Sequence, residues 1–467
     1  WRIQGPDGSE MFAGSFLEEI RFLAGKVHQD LGGSEVPIPG ELPREMEPLP
    51  HVFHDAMTRA AVEEVEEAEP LWQRAAELAG PERASLLRAV RDGIAVERRR
   101  HDRKTPFDQY DGMLRGEDTR KWIASRFDER HVFRVTRIEQ YLLCPFTFFV
   151  TEVLGVDELD VPPGGLEMSA LVRGSLVHGV LEWVFSDPAR YRGPASAEEL
   201  LEVYRQHAVR YRKHLANLLP GVLEHELRHL AQITARFLRP HLEECKDQPE
   251  DMLGAGLEIS FGRRGRNGRT NDQDPGCLFP EFHAVPETLD LKLEGTVIRI
   301  AGQIDRIDVL DHKSRRCRII EYKTGQLPVS KQIREGVDVQ LILYARAMKE
   351  LFKWECDAAW YVSVSQPDKI IRLPDFLRSR FRNDPTYAMA ASELWELGMK
   401  RTLESVARAV SRLRSGCFPP VTWDGLAQAC IPSGRYQTFR VREKAVLSGW
   451  AQSDEEETAD TEGGGEA

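Results

Sequence analysis

Gly302-Gln303-Ile304-Asp305-Arg306-Ile307-Asp308-Val309-Leu310, then a polar turn, then Arg318-Ile319-Ile320-Glu321-Tyr322-Lys323-Thr324-Gly325, is the stretch on which the reading of the chain turns. An Asp set in an apolar strand is followed, on the strand that returns from Asp311-His312-Lys313-Ser314, by Glu-x-Lys. Side chains at i and i+2 of a strand point the same way, so Glu321 and Lys323 share a face. Tyr322 points away, which leaves its carbonyl beside the carboxylates. Glu-x-Lys alone is a common surface pair; the apolar context here is not. Ile304 and Ile307 flank Asp305, and a carboxylate buried among them is costly unless it is paired or binds a metal. Asp308 lies three residues on, so it shares the face of Asp305 only if the strand bulges. Asp305 is therefore the expected ligand rather than Asp308.

Two carboxylates and an ammonium gathered in this way suit metal-assisted cleavage of a phosphodiester. That reaction needs a deprotonated water and a counter-charge for a crowded anionic transition state, and one or two Mg²⁺ ions can supply both. Mg²⁺ takes oxygen ligands and retains several waters, so Asp305, Glu321 and the Tyr322 carbonyl suffice to seat it; Mn²⁺ is a possible substitute. Lys323 is placed to favour hydroxide and to neutralise the phosphate.

Upstream, Arg173-Gly174-Ser-Leu-Val-His178-Gly-Val-Leu-Glu182 reads as a helix. A lone helical His is more often a satisfied core or surface residue than a ligand. Here Gly174, one turn before it, removes bulk on the same face and lets the helix approach the sheet, which would bring His178 to the metal. Downstream, Gln340 and Tyr344 are four apart on the helix that follows the Lys strand. They are either polar contacts of Lys323 or of a phosphate, or members of an ordinary amphipathic helix.

The 467 residues, 41% of them hydrophobic, suggest two or three domains. The formal charge of −12 neither supports nor excludes a nucleic-acid partner, since the local distribution of charge decides. Seven acidic residues with no Lys or Arg lie between Ser453 and Ala467, so over half of that excess sits in a tail that reads as disordered. The seven Cys are scattered, which excludes a secreted disulfide framework. The longest apolar run, Tyr141 to Val150, is about half of the ~20 residues a membrane span needs, so a soluble cytoplasmic protein is expected, with no membrane partner. No Gly-x₄-Gly-Lys-Ser/Thr occurs, so ATP hydrolysis would have to come from another chain or from a missing segment. The first residue is Trp, as in a fragment of a longer chain.

The spacing predicts a short helix within 11–30, a Gly- and Pro-rich linker over 31–50, and two helices over about 52–103 broken at Gly80-Pro81. It predicts irregular chain over 104–130. A helix carrying Tyr141 follows, with Thr136 as its N-cap. Further helices are expected over about 167–186, 197–217 and 222–244, then a mobile basic loop with Arg263, Arg264, Arg266 and Arg269. A hairpin joins Leu289–Leu293 to Val297–Ile300 through Glu294-Gly295-Thr296. A helix over about 338–352, a strand over Ala358–Ser363 and a long helix over about 384–414 complete the order.

Taken in sequence, Gly-x-Leu-x-His178, Gly-x-Ile-Asp305-Arg-Ile-Asp, Glu321-Tyr-Lys323-Thr-Gly and Gln340-x-x-x-Tyr344 resemble the PD-(D/E)xK nuclease superfamily, and within it the RecB/AddB-type exonuclease branch. Arg137-Ile-Glu-Gln-Tyr141-Leu-Leu-Cys144-Pro-Phe146-Thr-Phe-Phe looks like the start of that branch's nuclease domain. Tyr110-Asp-Gly and Phe16-Leu-Glu-Glu-Ile look like the end of a helicase-like region. The resemblance implies a restriction-endonuclease-like α/β fold, a mixed β-sheet core flanked by helices, with an N-terminal helical region. It implies a helicase-like remnant and linker over 1–50, a helical region over 51–130, a nuclease domain over 131–445 and an acidic tail over 446–467.

The function implied is Mg²⁺-dependent cleavage of DNA, as single strands or duplex ends, in end resection and double-strand-break repair beside an ATP-dependent helicase/nuclease subunit. His178, Asp305, Glu321 and the Tyr322 carbonyl would bind metal; Lys323, Gln340 and Tyr344 would complete the catalytic set with Asp305 and Glu321. The alternative is a catalytically silent scaffold of the same fold that binds DNA or a helicase. Proteins of this branch often hold an iron–sulfur cluster on four Cys. Cys144 and Cys430 stand in the right regions, but the two further positions are Ser433 and Phe439 and Cys417 is off the pattern, so no cluster is expected.

Overall fold

The computed structural model describes residues 3–4, 10–11, 69–101, 107–110, 112–156, 167–192, 196–244, 253–262, 281–293, 295–379 and 381–420. The expected linker at 31–50, the basic loop at 263–269, the acidic tail, the Phe16 segment and Cys430 lie outside them. The chain divides into two compact units, one of which includes 1–106 and the other 107–441.

In the first unit, β1 (Ile3–Gln4) pairs antiparallel with β2 (Glu10–Met11). Helices α1 (Glu69–Ala79) and α2 (Pro81–His101) meet where the sequence predicts a break. Gly80 sits there at φ +74°, a left-handed conformation that glycine adopts without a Cβ penalty, and Pro81 starts α2 where a missing N–H costs nothing. Trp72 and Ala75 of α1 are buried.

The second unit is built on a mixed seven-stranded sheet whose spine is β6 (Thr296–Asp311), 16 residues long. The first half of β6 pairs parallel with β3 (Val132–Arg134) on one side and antiparallel with β5 (Leu289–Leu293) on the other. Its second half pairs antiparallel with β4 (Gly256–Phe261) and with β7 (Arg316–Lys323). Then β7 pairs parallel with β8 (Glu355–Ser363), and β8 antiparallel with β9 (Ile370–Leu373). Strands buried on both faces read as continuous apolar runs, and Cys317 through Tyr322 are all buried.

Two cores result. One face carries Ile304, Ile307 and Ile319 against α4 (Val135–Leu143), α8 (Gln340–Ala347) and α9 (Ala391–Arg414). The other carries Ile320, Tyr322, Trp360 and Val362 against α5 (Ala170–Phe185), α6 (Ala197–Ala208) and α7 (Pro220–Glu244). This is the restriction-endonuclease-like mixed α/β arrangement expected. No described helix is long and apolar enough to cross a membrane.

Several local expectations are corrected. Residues 117–126 form a helix, α3, inside the stretch expected to be irregular; Glu117 and Asp118 in its first turn favour it through the helix dipole. Thr136 is not a cap: α4 already starts at Val135 after extended Arg134. The expected 197–217 helix ends at Ala208 and continues as a 3₁₀ turn and a one-turn helix. The expected 338–352 helix passes into a π turn at Met348–Phe352, and α9 begins at Ala391 after a separate 3₁₀ turn at Pro385–Ala388. Strand β4 has no counterpart among the expected elements.

Candidate metal centre

Pairing between β6 and β7 stops at Arg306↔Ile320, one step short of where Asp305 would face Glu321. The strands part there, and Asp305 fills the gap: its Oδ2 accepts the Tyr322 amide at 2.9 Å. That bond fixes the carboxylate and leaves Oδ1 facing His178, whose Nδ1 is 3.3 Å away. His178 projects from the middle of α5, and the same Nδ1 lies 3.5 Å from Oε1 of Glu258 on β4.

Ligand atoms of His178, Glu258 and Asp305 all lie within 4.8 Å of one another, a spacing that can hold a metal ion. Glu258 is a residue that sequence reasoning missed. It lies on β4 between positions paired with Ile304 and Arg306, so it is set beside Asp305 across the ladder. Its backbone takes φ +52°, a conformation that costs a non-glycine residue about 1–2 kcal/mol. Gln303 donates a hydrogen bond to its other carboxylate oxygen. The one signal in the sequence was a Glu inside Gly-Leu-Glu-Ile-Ser-Phe, an otherwise apolar or small-residue run.

Glu321 and Lys323 share a face as alternation requires, with Lys323 Nζ donating to Glu321 Oε1 at 3.1 Å. Gln340, the first residue of α8, ties the two together: its Oε1 accepts from Lys323 Nζ at 2.7 Å and its Nε2 donates to Glu321 Oε1 at 2.6 Å. The same Nε2 donates to Tyr344 Oη at 3.2 Å. The Tyr344 ring packs so close to β6 that a Cβ on Gly302 would lie 2.6 Å from its Cε1, which is why the strand carries glycine there. Glu321 Oε1 thus has two donors, while Oε2 is buried with no hydrogen-bond partner among the described residues. A carboxylate oxygen left so costs free energy that a cation would recover.

Tyr322 turns to the other core, where its hydroxyl accepts from Arg306 Nη1 at 2.9 Å. Asp308 also lies on that side. It accepts two bonds from Arg306, at 2.6 and 2.8 Å, one from Arg318 Nη2 at 2.7 Å and one from the Gly254 amide at 2.9 Å. Burial opposes its charge, but these partners outweigh burial and hold the carboxyl well below the usual range. Asp308 is thus tied into an arginine network on the side of the sheet that carries the Tyr322 side chain.

The role given to Gly174 is corrected. A Cβ there would meet only Thr324 Oγ1, at an ordinary 3.6 Å, so Ala would fit. The glycine that close approach requires on α5 is Gly179, where a Cβ would lie 2.6 Å from His207 Nδ1.

Electrostatics favour an added positive charge. Burial first, then Asp305, push Glu321 up to about 8. Burial would push the His178 imidazole down, but Asp305 and Glu258 outweigh it and hold the ring well above its usual range. Burial likewise opposes the charge on Lys323, while Glu321, Glu139, Asp305 and Asp338 raise it further above normal. Oxygen donors with one imidazole nitrogen are the chemistry of a hard divalent cation, so the residues present fit one.

Cys144 and Cys417, the two described cysteines that bear on an iron–sulfur cluster, are both buried.

A profile of the PD-(D/E)XK nuclease superfamily matches residues 133–430, and the chain belongs to that superfamily. The chain is also similar to proteins named as subunits of an ATP-dependent helicase/deoxyribonuclease. That of Thermoanaerobacter sp. (strain X514) is 26% identical over 232 residues, 47% of this chain and 18% of the relative. That of Ruminiclostridium cellulolyticum is 26% identical over 265 residues, 53% of this chain and 19% of the relative. That of Desulforudis audaxviator is 28% identical over 233 residues, 47% and 18% respectively. The similarity thus spans under a fifth of these relatives' length.

Proposed function

We propose that this member of the superfamily cleaves DNA with Mg²⁺, one ion or two, as a single-strand exonuclease serving end resection and double-strand-break repair in the cytoplasm. It would act beside an ATP-dependent helicase/nuclease subunit, in keeping with the names of its relatives. The observation that carries the reading is the buried Oε2 of Glu321, which has no hydrogen-bond partner among the described residues, next to the His178–Glu258–Asp305 group and Lys323.

In this reading His178, Glu258, Asp305 and Glu321 would hold the ion, with the Tyr322 carbonyl as a further oxygen donor. When bound, the ion supplies a more acidic water and positive charge for the phosphate oxygens. The protein does the rest. Asp305 is oriented by the Tyr322 amide, so it meets its ligand without a reorganisation cost. Lys323, held between Glu321 and Gln340, keeps its proton and offers a fixed cation to the attacking water and the phosphate. Gln340 holds the Glu321–Lys323 pair in register, and Tyr344 holds Gln340.

The test is cleavage of single-stranded DNA with Mg²⁺ by the chain and by Asp305→Ala and Lys323→Ala. Losses of at least roughly 10³-fold are expected for both, of the order seen when charge stabilisation of a transition state is removed. Equal activity in all three would refute the site. A wild-type chain that binds DNA but cuts none would point to the scaffold alternative instead.

A further inference from the structure

Two adjoining hollows, about 980 and 700 Å³, lead away from the C-terminal end of β7. The nearer one is lined by Thr324 and Gly325, directly after Lys323, and by the turn that joins β8 to β9. That turn is tied to the site: the Val364 amide donates to the Lys323 carbonyl at 2.9 Å, and Ser363 lies beside Lys323 in register. Ser365, Gln366, Asp368 and Lys369 of the turn also line the farther hollow, whose opposite wall is α7. There Gln232, Arg236 and Arg239 fall at i, i+4 and i+7, on one helix face.

Arg236, Arg239 and Lys369 are all exposed. None of the three pairs with a carboxylate among the described residues, whereas Arg228 on the same helix is bound to Glu224 at 3.0 Å. Three cations with no carboxylate partner among the described residues, against one carboxylate, Asp368, thus line two hollows that share the β8–β9 turn, a channel whose near end lies at Thr324, next to Lys323.

We propose that this channel is the track for the sugar-phosphate backbone of one DNA strand, with Arg236, Arg239 and Lys369 as phosphate contacts that hand the strand to Lys323. The proposal rests on the nuclease reading for its substrate, but not on catalysis for its test. Cations that contact phosphates bind by counterion release, without regard to sequence.

The measurement is fluorescence anisotropy of a labelled oligothymidylate with the full chain, in Ca²⁺, across a series of NaCl concentrations. For single strands the slope of log K against log salt falls by about 0.7 for each phosphate that the protein no longer neutralises. Arg236→Gln/Arg239→Gln/Lys369→Gln should therefore flatten the slope by about 2, with an unchanged melting temperature. Arg236→Lys/Arg239→Lys should keep the slope, because charge rather than fork geometry is used.

An unchanged slope in the triple variant overturns the track, even if the wild type cuts DNA. A flattened slope upholds it, even if the wild type cuts nothing and the catalytic reading falls. The same flattening on a blunt duplex that binds more tightly than the single strand overturns the commitment to one strand.

Discussion

Glu139 reaches across 201 residues of chain to Gln340, whose amide donates to its Oε1 at 2.9 Å; the Val339 amide donates to the same oxygen at 3.1 Å. One carboxylate thus caps the helix whose first side chain clamps Lys323. Burial, and after it Asp338, push Glu139 up to about 8, while Lys323 pulls the other way. Cap and charge can be separated. Glu139→Ala should cost about 1 kcal/mol, measured by chemical denaturation, and slow cleavage by loosening Gln340. Glu139→Gln keeps an acceptor for both amides, so stability and rate at neutral pH should return. Its signature is in the pH profile: Lys323 loses one of the carboxylates that hold its proton, so the alkaline limb moves to lower pH. A Gln variant that behaves like Ala would refute the division. What was legible at this scale was whatever has short sequence spacing: Glu321 with Lys323, Gln340 with Tyr344. Glu139 and Glu258 were not legible, because each acquires its partners only when distant strands and helices meet.

At the scale of elements, the strands that bear the site are pinned from behind. The Arg306 guanidinium is wholly buried, with Cζ 3.8 Å from the Phe185 ring of α5 and Nη1 3.0 Å from His241 Nε2 on α7. With Asp308 and Arg318 it ties β6 and β7 to two of the three helices on that face, α5, which carries His178, and α7. Removing one partner of such a network strands the others' charge. Asp308→Ala should therefore lower unfolding stability by about 3–5 kcal/mol in urea denaturation, and a loss under about 1 kcal/mol would show the network to be incidental. The sequence made the β6–β7 hairpin and most of the helix order, α3 excepted, plain, because apolar runs and turn residues mark them. It hid β4, a six-residue strand between segments without clear pattern, and it misplaced helix ends where 3₁₀ and π turns extend a pattern that the α-helix leaves.

Over the whole molecule, groups raised and lowered in the fold set opposite pH limits. Glu139 and Glu321 sit at about 8 in place of about 4.5, so the folded state keeps protons that the unfolded chain gives up. Their stabilising contribution is full below about pH 4.5 and is lost as pH rises through about 8; His178, also raised, acts in the same direction. His241 is held well below its usual value by burial and by Arg306, so its contribution is lost as pH falls below about 6.5. In EDTA the melting temperature should thus decline from about pH 6 towards about pH 9. Mg²⁺ should raise it, by an increment that grows with pH as His178 and Glu321 give up protons to the ion. Thermal scans across pH with and without Mg²⁺ check this; an increment independent of pH would count against both residues as ligands. The Glu139 cap also bears on time. A ribosome delivers Glu139, His178 and Glu258 before Asp305, and Gln340 last of these, so until Gln340 has emerged the Glu139 carboxylate is a cap without its helix, and the site cannot close.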